Sequence, residues 1–246
     1  MFESEVLIRR TKFMTKQITE HSPFNNKLTV LDIGCGIGTI PCYLGSLGYN
    51  VMGIDLDPVS IADCRKNNKF PNVVFRVGNA ETLDLEPKYD IVIATEIIEH
   101  ILHPELALKT IERNLKDDGI GIVSVPNGWC PWEMIIGRFI QKGIIGSWIY
   151  RSPRFYKFLT GGDNPFNSKN VFCFHVNFFS YRRFKRLIEN NGFKILVVAH
   201  PSLGILPEWK SFGFFKKIEC KISDYVPHPI AGGWLMVIKP NAKNTL

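Results

Sequence analysis

The 246-residue chain lacks any run of about 18 uncharged apolar residues, the length a helix needs to cross a bilayer, so no transmembrane segment is expected. Its opening residues, MFESEVLIRR, mix acids and arginines without a long apolar run, so we expect no secretory signal. Six cysteines are present (Cys35, Cys42, Cys64, Cys130, Cys173, Cys220) but no C-x-x-C pair, and reduced thiols of a cytoplasmic protein are the expectation. Internal repeats and low-complexity tracts are absent. Acidic side chains are scarce in the second half. Residues 1–126 carry 13 Lys/Arg and 17 Asp/Glu, whereas residues 127–246 carry 17 and 6. That basic excess is either ordinary solvated surface or a face for an anionic substrate, a membrane or a nucleic acid.

What is present is a full apolar complement, 45% of residues, enough for one domain spanning 1–246. The apolar positions within 3–20 predict an amphipathic helix, and residues 1–27 form a lead-in. Strands are expected at Leu28–Ile33, Val51–Asp55, Asn72–Val77, Tyr89–Thr95 and Ile120–Val125, with helices between them. Asp57-Pro58 and Pro104 mark two helix starts, and Asp117-Asp118-Gly119 is read as a helix end. Strand–helix alternation predicts a doubly wound parallel sheet with helices on both faces. Right-handed crossovers then gather every strand's carboxyl end on one edge, where ligands bind. The pattern breaks over 126–179, an insertion expected to lie over the substrate. A helix capped by Ser180, a sixth strand at Phe193–Val198, an irregular stretch at 200–229 and a last strand at Trp234–Ile238 complete the reading.

The stretch from Val30 to Asp55 is the chemical centre. It reads as a strand, a bare turn with Gly34, Gly36 and Gly38, a helix, and a second strand ending in Asp55. Glycines let backbone approach a ligand where a β-carbon would collide, and the helix aims N–H groups at it. Asp55 can accept hydrogen bonds from a ribose diol. A dinucleotide turn would be G-x-G-x-x-G, but here the third glycine comes one place early and Thr39 takes its position. That spacing, with no second nucleotide-binding half, disfavours an NAD-linked oxidoreductase.

Asp32-Ile33-Gly34-Cys35-Gly36-Ile37-Gly38 resembles the first motif of the class I S-adenosylmethionine-dependent methyltransferases. Tyr89-Asp90-Ile91-Val92 and His175–Ser180 are similar to later segments of the family, over roughly 28–125 and 174–239. The resemblance implies a seven-stranded sheet whose last strand is antiparallel, S-adenosylmethionine as cofactor, and in-line methyl transfer. It also implies a cofactor set of Asp32, Gly34, Gly36, Gly38, Asp55, Leu56, Asn79, Ala80, Thr95 and Glu96. Asn79 stands where aspartate is commoner in the family.

After the fourth strand comes Glu96-Ile97-Ile98-Glu99-His100. His100 follows the strand where the methyl group should lie and is the candidate catalytic base, an imidazole titrating near neutrality. Organising the loop is its other open role. On one helical turn Glu96, Glu99 and His100 can share a face. E-x-x-E-H resembles the metal site of small-RNA 3′-terminal 2′-O-methyltransferases and of ubiquinone-pathway O-methyltransferases, in which His175 would supply a downstream imidazole. The same string occurs in relatives without metal, and we assign no metal ligand from sequence.

Residues 132–159 mix aromatic, aliphatic and basic side chains. A lid on the core and a peripheral membrane surface are both open to them, and nucleic acid is disfavoured because no RNA module accompanies them. The resulting expectation is O-methylation of a small, lipid-like or glycan-like acceptor. A metal-assisted RNA 2′-O-methyltransferase and a non-catalytic cofactor-binding module are the alternatives.

Overall fold

A computed structural model describes residues 4–21, 28–131, 134, 175–205 and 213–241. The expected insertion surface 132–159, apart from Met134, lies outside them. The apolar runs form β1 (Thr29–Ile33), β2 (Asn50–Asp55), β3 (Val73–Val77), β4 (Tyr89–Thr95), β5 (Leu115–Pro126), β6 (Phe193–Ala199) and β7 (Gly233–Pro240). Helices α1 (Glu5–His21), α2 (Thr39–Ser46), α3 (Pro58–Asn67), α4 (Pro104–Asn114), α5 (Tyr181–Asn190) and α6 (Gly213–Ile222) surround them.

One sheet runs in the order β3-β2-β1-β4-β5-β7-β6. The first five strands are parallel, and β7 is antiparallel to both neighbours. β6 therefore points the same way as β5, and its carboxyl end joins the same edge. This is the doubly wound sheet that the strand–helix alternation predicts, with the seven strands and antiparallel last strand that the resemblance implies.

Side chains alternate between two cores. Leu31, Val92, Val123 and Trp234 fill one face, and Val30, Ile91, Ile122 and Val237 fill the other. Covering on both faces is why these strands read as nearly unbroken apolar runs. Met14 and Ile18 of α1 are fully buried in the second core. Burial of such side chains is worth roughly 1.5–3 kcal/mol each, which makes α1 an integral part of the domain.

Local signals explain several boundaries. Asp57 caps α3 by accepting from the backbone N–H of Val59 and Ser60. Ser180 caps α5 by accepting from Arg183 N, and Gly192 ends it with φ 83°. Two expectations are corrected. Asp117-Asp118-Gly119 does not end a helix: α4 stops at Asn114 and β5 begins at Leu115, paired with Tyr89 across an irregularity. Lys116 Nζ reaches Asp90 at 2.8 Å there, and a β-carbon on Gly119 would stand 2.9 Å from the Asp90 carbonyl. The triplet thus lies in the irregularity between the Leu115–Tyr89 and Ile120–Ile91 pairs, packed close against the β4 backbone, after the strand has already begun. The second correction is α6, within a stretch read as irregular.

The insertion begins and ends at one place. Asn127 and Phe179 form a parallel bridge, and Gly128 N donates to Phe179 O at 2.9 Å.

Asn114 ties the β3–β4 connection to α4. Its amide donates to Leu83 O and Thr110 O, and its Oδ1 accepts from Leu85 N, all within 3.0 Å. Asn114→Ala should lower stability by about 1–3 kcal/mol, because it strands polar groups at a fully buried position. Urea denaturation measures this, and an unchanged midpoint would refute the assignment.

Candidate functional site

The glycine turn joins β1 to α2. Gly34, Gly36 and Gly38 all have positive φ, at 78°, 52° and 78°. A β-carbon on Gly34 would come within 2.4 Å of the Ile97 side chain, whereas one on Gly36 would meet nothing within 4 Å. Gly34 is thus required by packing of the loop after β4, and Gly36 borders open space. The turn is pinned by Gly34 N and Cys35 N, both donating to Ile54 O. No side chain caps α2, whose N-terminus follows at Thr39.

Asp55 is held from both sides. Gly36 N donates to Oδ2 at 2.8 Å and Asp57 N to Oδ1 at 2.9 Å. The carboxylate is fixed at the end of β2, and the Leu56 side chain beside it is exposed. Asp32 is buried beneath the turn, and its Oδ2 has no hydrogen-bond partner. Burial, then the charge of Asp55, pushes the Asp32 carboxyl up to about 8. Burial and the same two acids raise the Cys35 thiol far above its ordinary value, so this cysteine is inert. Asn79 follows β3 and accepts from Glu81 N through Oδ1, and Ala80 packs against the core.

At the end of β4, Thr95 is buried and Glu96 takes φ 55°, the one described non-glycine residue with positive φ. Ser124 Oγ donates to Glu96 Oε1 at 2.8 Å, and Arg10 of α1 pairs with Oε2 at 2.9 Å. Ile98–His100 form a single 3₁₀ turn. His100 Nε2 lies 3.7 Å from Glu99 Oε1, and the His100 and His175 rings stand 4.8 Å apart. Ligand atoms of Glu99, His100 and His175 lie within 4.8 Å of one another.

Glu96 is therefore not part of that group. The shared face expected for Glu96, Glu99 and His100 does not form, because Arg10 and Ser124 hold Glu96. The segment carrying His175 is laced to the same turn. Val176 N and Asn177 N both donate to Glu99 O at 2.9 Å, and Asn177 Nδ2 donates to Ile101 O. Sequence reasoning overlooked Arg10, Ser124 and Asn177, since each acts through partners at least 28 positions away.

A sheet of this order, with a glycine turn, a fixed acid ending β2 and functional loops on one carboxyl edge, defines the class I S-adenosylmethionine-dependent methyltransferases. A profile described as a methyltransferase domain matches residues 6–198, and the chain belongs to that family. The ubiquinone biosynthesis O-methyltransferase of Rickettsia canadensis is 29% identical over 153 residues, 61% of this chain and 64% of that protein. The protein of the same name from Bradyrhizobium diazoefficiens is 30% identical over 136 residues, covering 54% and 53%. The chain thus spans less than two thirds of the length of these curated relatives. A TehB-like SAM-dependent methyltransferase from Corynebacterium glutamicum superposes with TM-score 0.56 at 16% identity, over 94% of this chain and 87% of that one. The [4+2]-cyclase SpnF does so with TM-score 0.58 at 16% identity, over 94% and 82%. At such identities the likeness concerns the fold alone.

The Asp32 carboxyl generates a pH dependence. Its native pKa is raised, so the folded chain keeps a proton that the unfolded chain releases. Its contribution to the stability of the ligand-free protein therefore falls as pH climbs from about 4 to about 8. Asp32→Asn should gain stability relative to wild type across that window, read by urea denaturation at stepped pH. A difference that stays constant with pH would refute it.

Proposed function

We propose that the chain methylates an oxygen of a small, lipid-like acceptor, with His100 as the group that takes the acceptor's proton. The observation that carries this reading is the location of His100. It sits on the turn after β4, whose Ile97 packs against the glycine turn. The names of the ubiquinone-pathway relatives support the acceptor class.

The residues fit the cofactor. The unpartnered Asp32 Oδ2 suits a cationic amino group, and open space lies beside Gly36. Asp55 would hold the ribose, Leu56, Asn79 and Ala80 would border the adenine, and Thr95 and Glu96 would line the methionine end. S-adenosylmethionine supplies a methyl group already activated on a sulfonium. In-line attack by the acceptor oxygen would leave the C–S electron pair on sulfur, and His100 would take the acceptor's proton. Positioning is the main task of the protein, since alignment of bound reactants can be worth roughly 7–11 kcal/mol. Residues 126–179 are read as the acceptor's cover: their described ends meet at Asn127 and Phe179, and Val176–Asn177 lie on Glu99.

One observation favours a second reading. Glu99, His100 and His175 form a carboxylate–imidazole set suited to a divalent ion, which would act as a Lewis acid on the acceptor hydroxyl. In that case His100 would be a ligand. Methylation of an RNA 2′-hydroxyl would then join the acceptors to screen.

His100→Ala should leave S-adenosylmethionine affinity unchanged and lower kcat roughly 10²–10⁴-fold, the usual range for a lost general base. Unchanged turnover would remove His100 from the chemistry. Mn²⁺ titration followed by electron paramagnetic resonance separates the two readings. Binding abolished by His175→Ala supports the metal, and an unaltered spectrum with intact turnover supports the base.

A further inference from the structure

Helix α6 is amphipathic in the inverted sense. Its buried face carries Lys216, Glu219 and Cys220, with Ser223 just beyond its end. Lys216 Nζ and Glu219 pair at 3.3 Å, and Glu219 Oε1 also accepts from Ile205 N. The exposed face carries the large apolar side chains. Phe214 is 72% exposed and Phe215 60%, and Ile218, Ile222 and Tyr225 are exposed beside them. On a helix of 3.6 residues per turn, Phe214, Ile218, Ile222 and Phe215 fall within one stripe about 100° wide. Lys217 and Lys221 flank that stripe on one side and are exposed. Two acids of this region are engaged, Glu219 with Lys216 and Asp224 with Arg9.

We propose that this face is a docking surface for an anionic lipid bilayer. A contiguous apolar stripe bordered by lysines matches the acyl and headgroup layers of such a surface. Charge complementarity selects the lipid. Exposed charge on the helix is uniformly positive, from Lys217 and Lys221, while Lys216 and Glu219 are buried as a pair.

The helix is also well placed for the acceptor. It is anchored to Ile205 in the segment leaving the carboxyl end of β6, the edge that carries the glycine turn and His100. Gly204 in that segment lies against Cys130, just after β5. A bilayer on α6 would lie against a helix tied to the sheet edge that carries the site, which suits a lipid-like acceptor. This last step rests on the acceptor reading above, and the surface itself does not.

The test is flotation of the full chain with vesicles of phosphatidylcholine, with and without phosphatidylglycerol. Wild type should float with the anionic vesicles and be displaced by high salt. Phe214→Ser with Phe215→Ser, and separately Lys217→Glu with Lys221→Glu, should each bind roughly tenfold more weakly. Both variants should keep wild-type Tm and S-adenosylmethionine affinity. Wild type that stays in solution overturns the proposal, as does equal flotation of the variants. A fall in Tm in the Phe variant would mean that the chain's own residues cover the face, and a dimer dissociated by it would mean that a second copy does. Either result overturns the proposal. Cofactor affinity is read separately, so failure here is distinct from failure of the methyltransferase reading.

Discussion

Ile97 occupies the space that a β-carbon on Gly34 would need, and the site is built around that contact. The glycine turn cannot close on β4 with any other residue at 34 unless something shifts. With glycine there, the loop after β4 lies against the loop after β1. Asp32, Asp55 and the 3₁₀ turn of Glu99 and His100 are then brought to one corner of the sheet edge. The glycine serves two separate needs, a left-handed backbone and a missing side chain, and either would exclude alanine.

The residue next to that contact is strained. Glu96 holds a left-handed conformation, which costs an ordinary residue about 1–2 kcal/mol and persists only where surroundings enforce it. Ser124 from β5 and Arg10 from α1 provide that enforcement, one to each carboxylate oxygen. Helix α1 therefore closes the site as well as covering the sheet. Arg9, one residue earlier, pairs with Asp224 and reaches the carbonyl of His200, so α1 links the cofactor half to the segment that follows β6.

The sheet was legible from local pattern because each strand and cap announces itself within a few residues. The apolar runs at β1, β2 and β4, the Asp57-Pro58 start and the Ser180 cap are signals of that kind. The glycine spacing was equally local and chose the cofactor class. What escaped was of two sorts. Asp117-Asp118-Gly119 has turn composition and does fall in an irregularity, but β5 already begins before it, with Leu115 opposite Tyr89 and Lys116 paired with Asp90, a long-range placement that the local residues do not announce. The site's supports, Arg10–Glu96, Ser124–Glu96 and Asn177–Ile101, join distant parts of the chain, and no spacing rule reaches across them. Reading Glu96 with Glu99 and His100 assumed a regular helix. The chain instead makes a left-handed residue and a short 3₁₀ turn, which separates the first acid from the other two.

Helix α6 escaped for a related reason, and the reason bears on its role. Periodicity identifies a helix by the face it buries, and the buried face of α6 carries an ion pair, a lysine and a glutamate, with a single cysteine as its apolar member. Its apolar residues do repeat at helical spacing, but they face outward. Burying an ion pair while exposing two phenylalanines runs against the ordinary economy of a water-bounded fold, in which apolar area is what folding removes from water. The arrangement becomes favourable once the outer surroundings are apolar, which is the condition a bilayer supplies. On the proposed reading, the acid-rich first half, with its glycine turn, would hold the donor, and the basic second half, with this helix, would meet the acceptor.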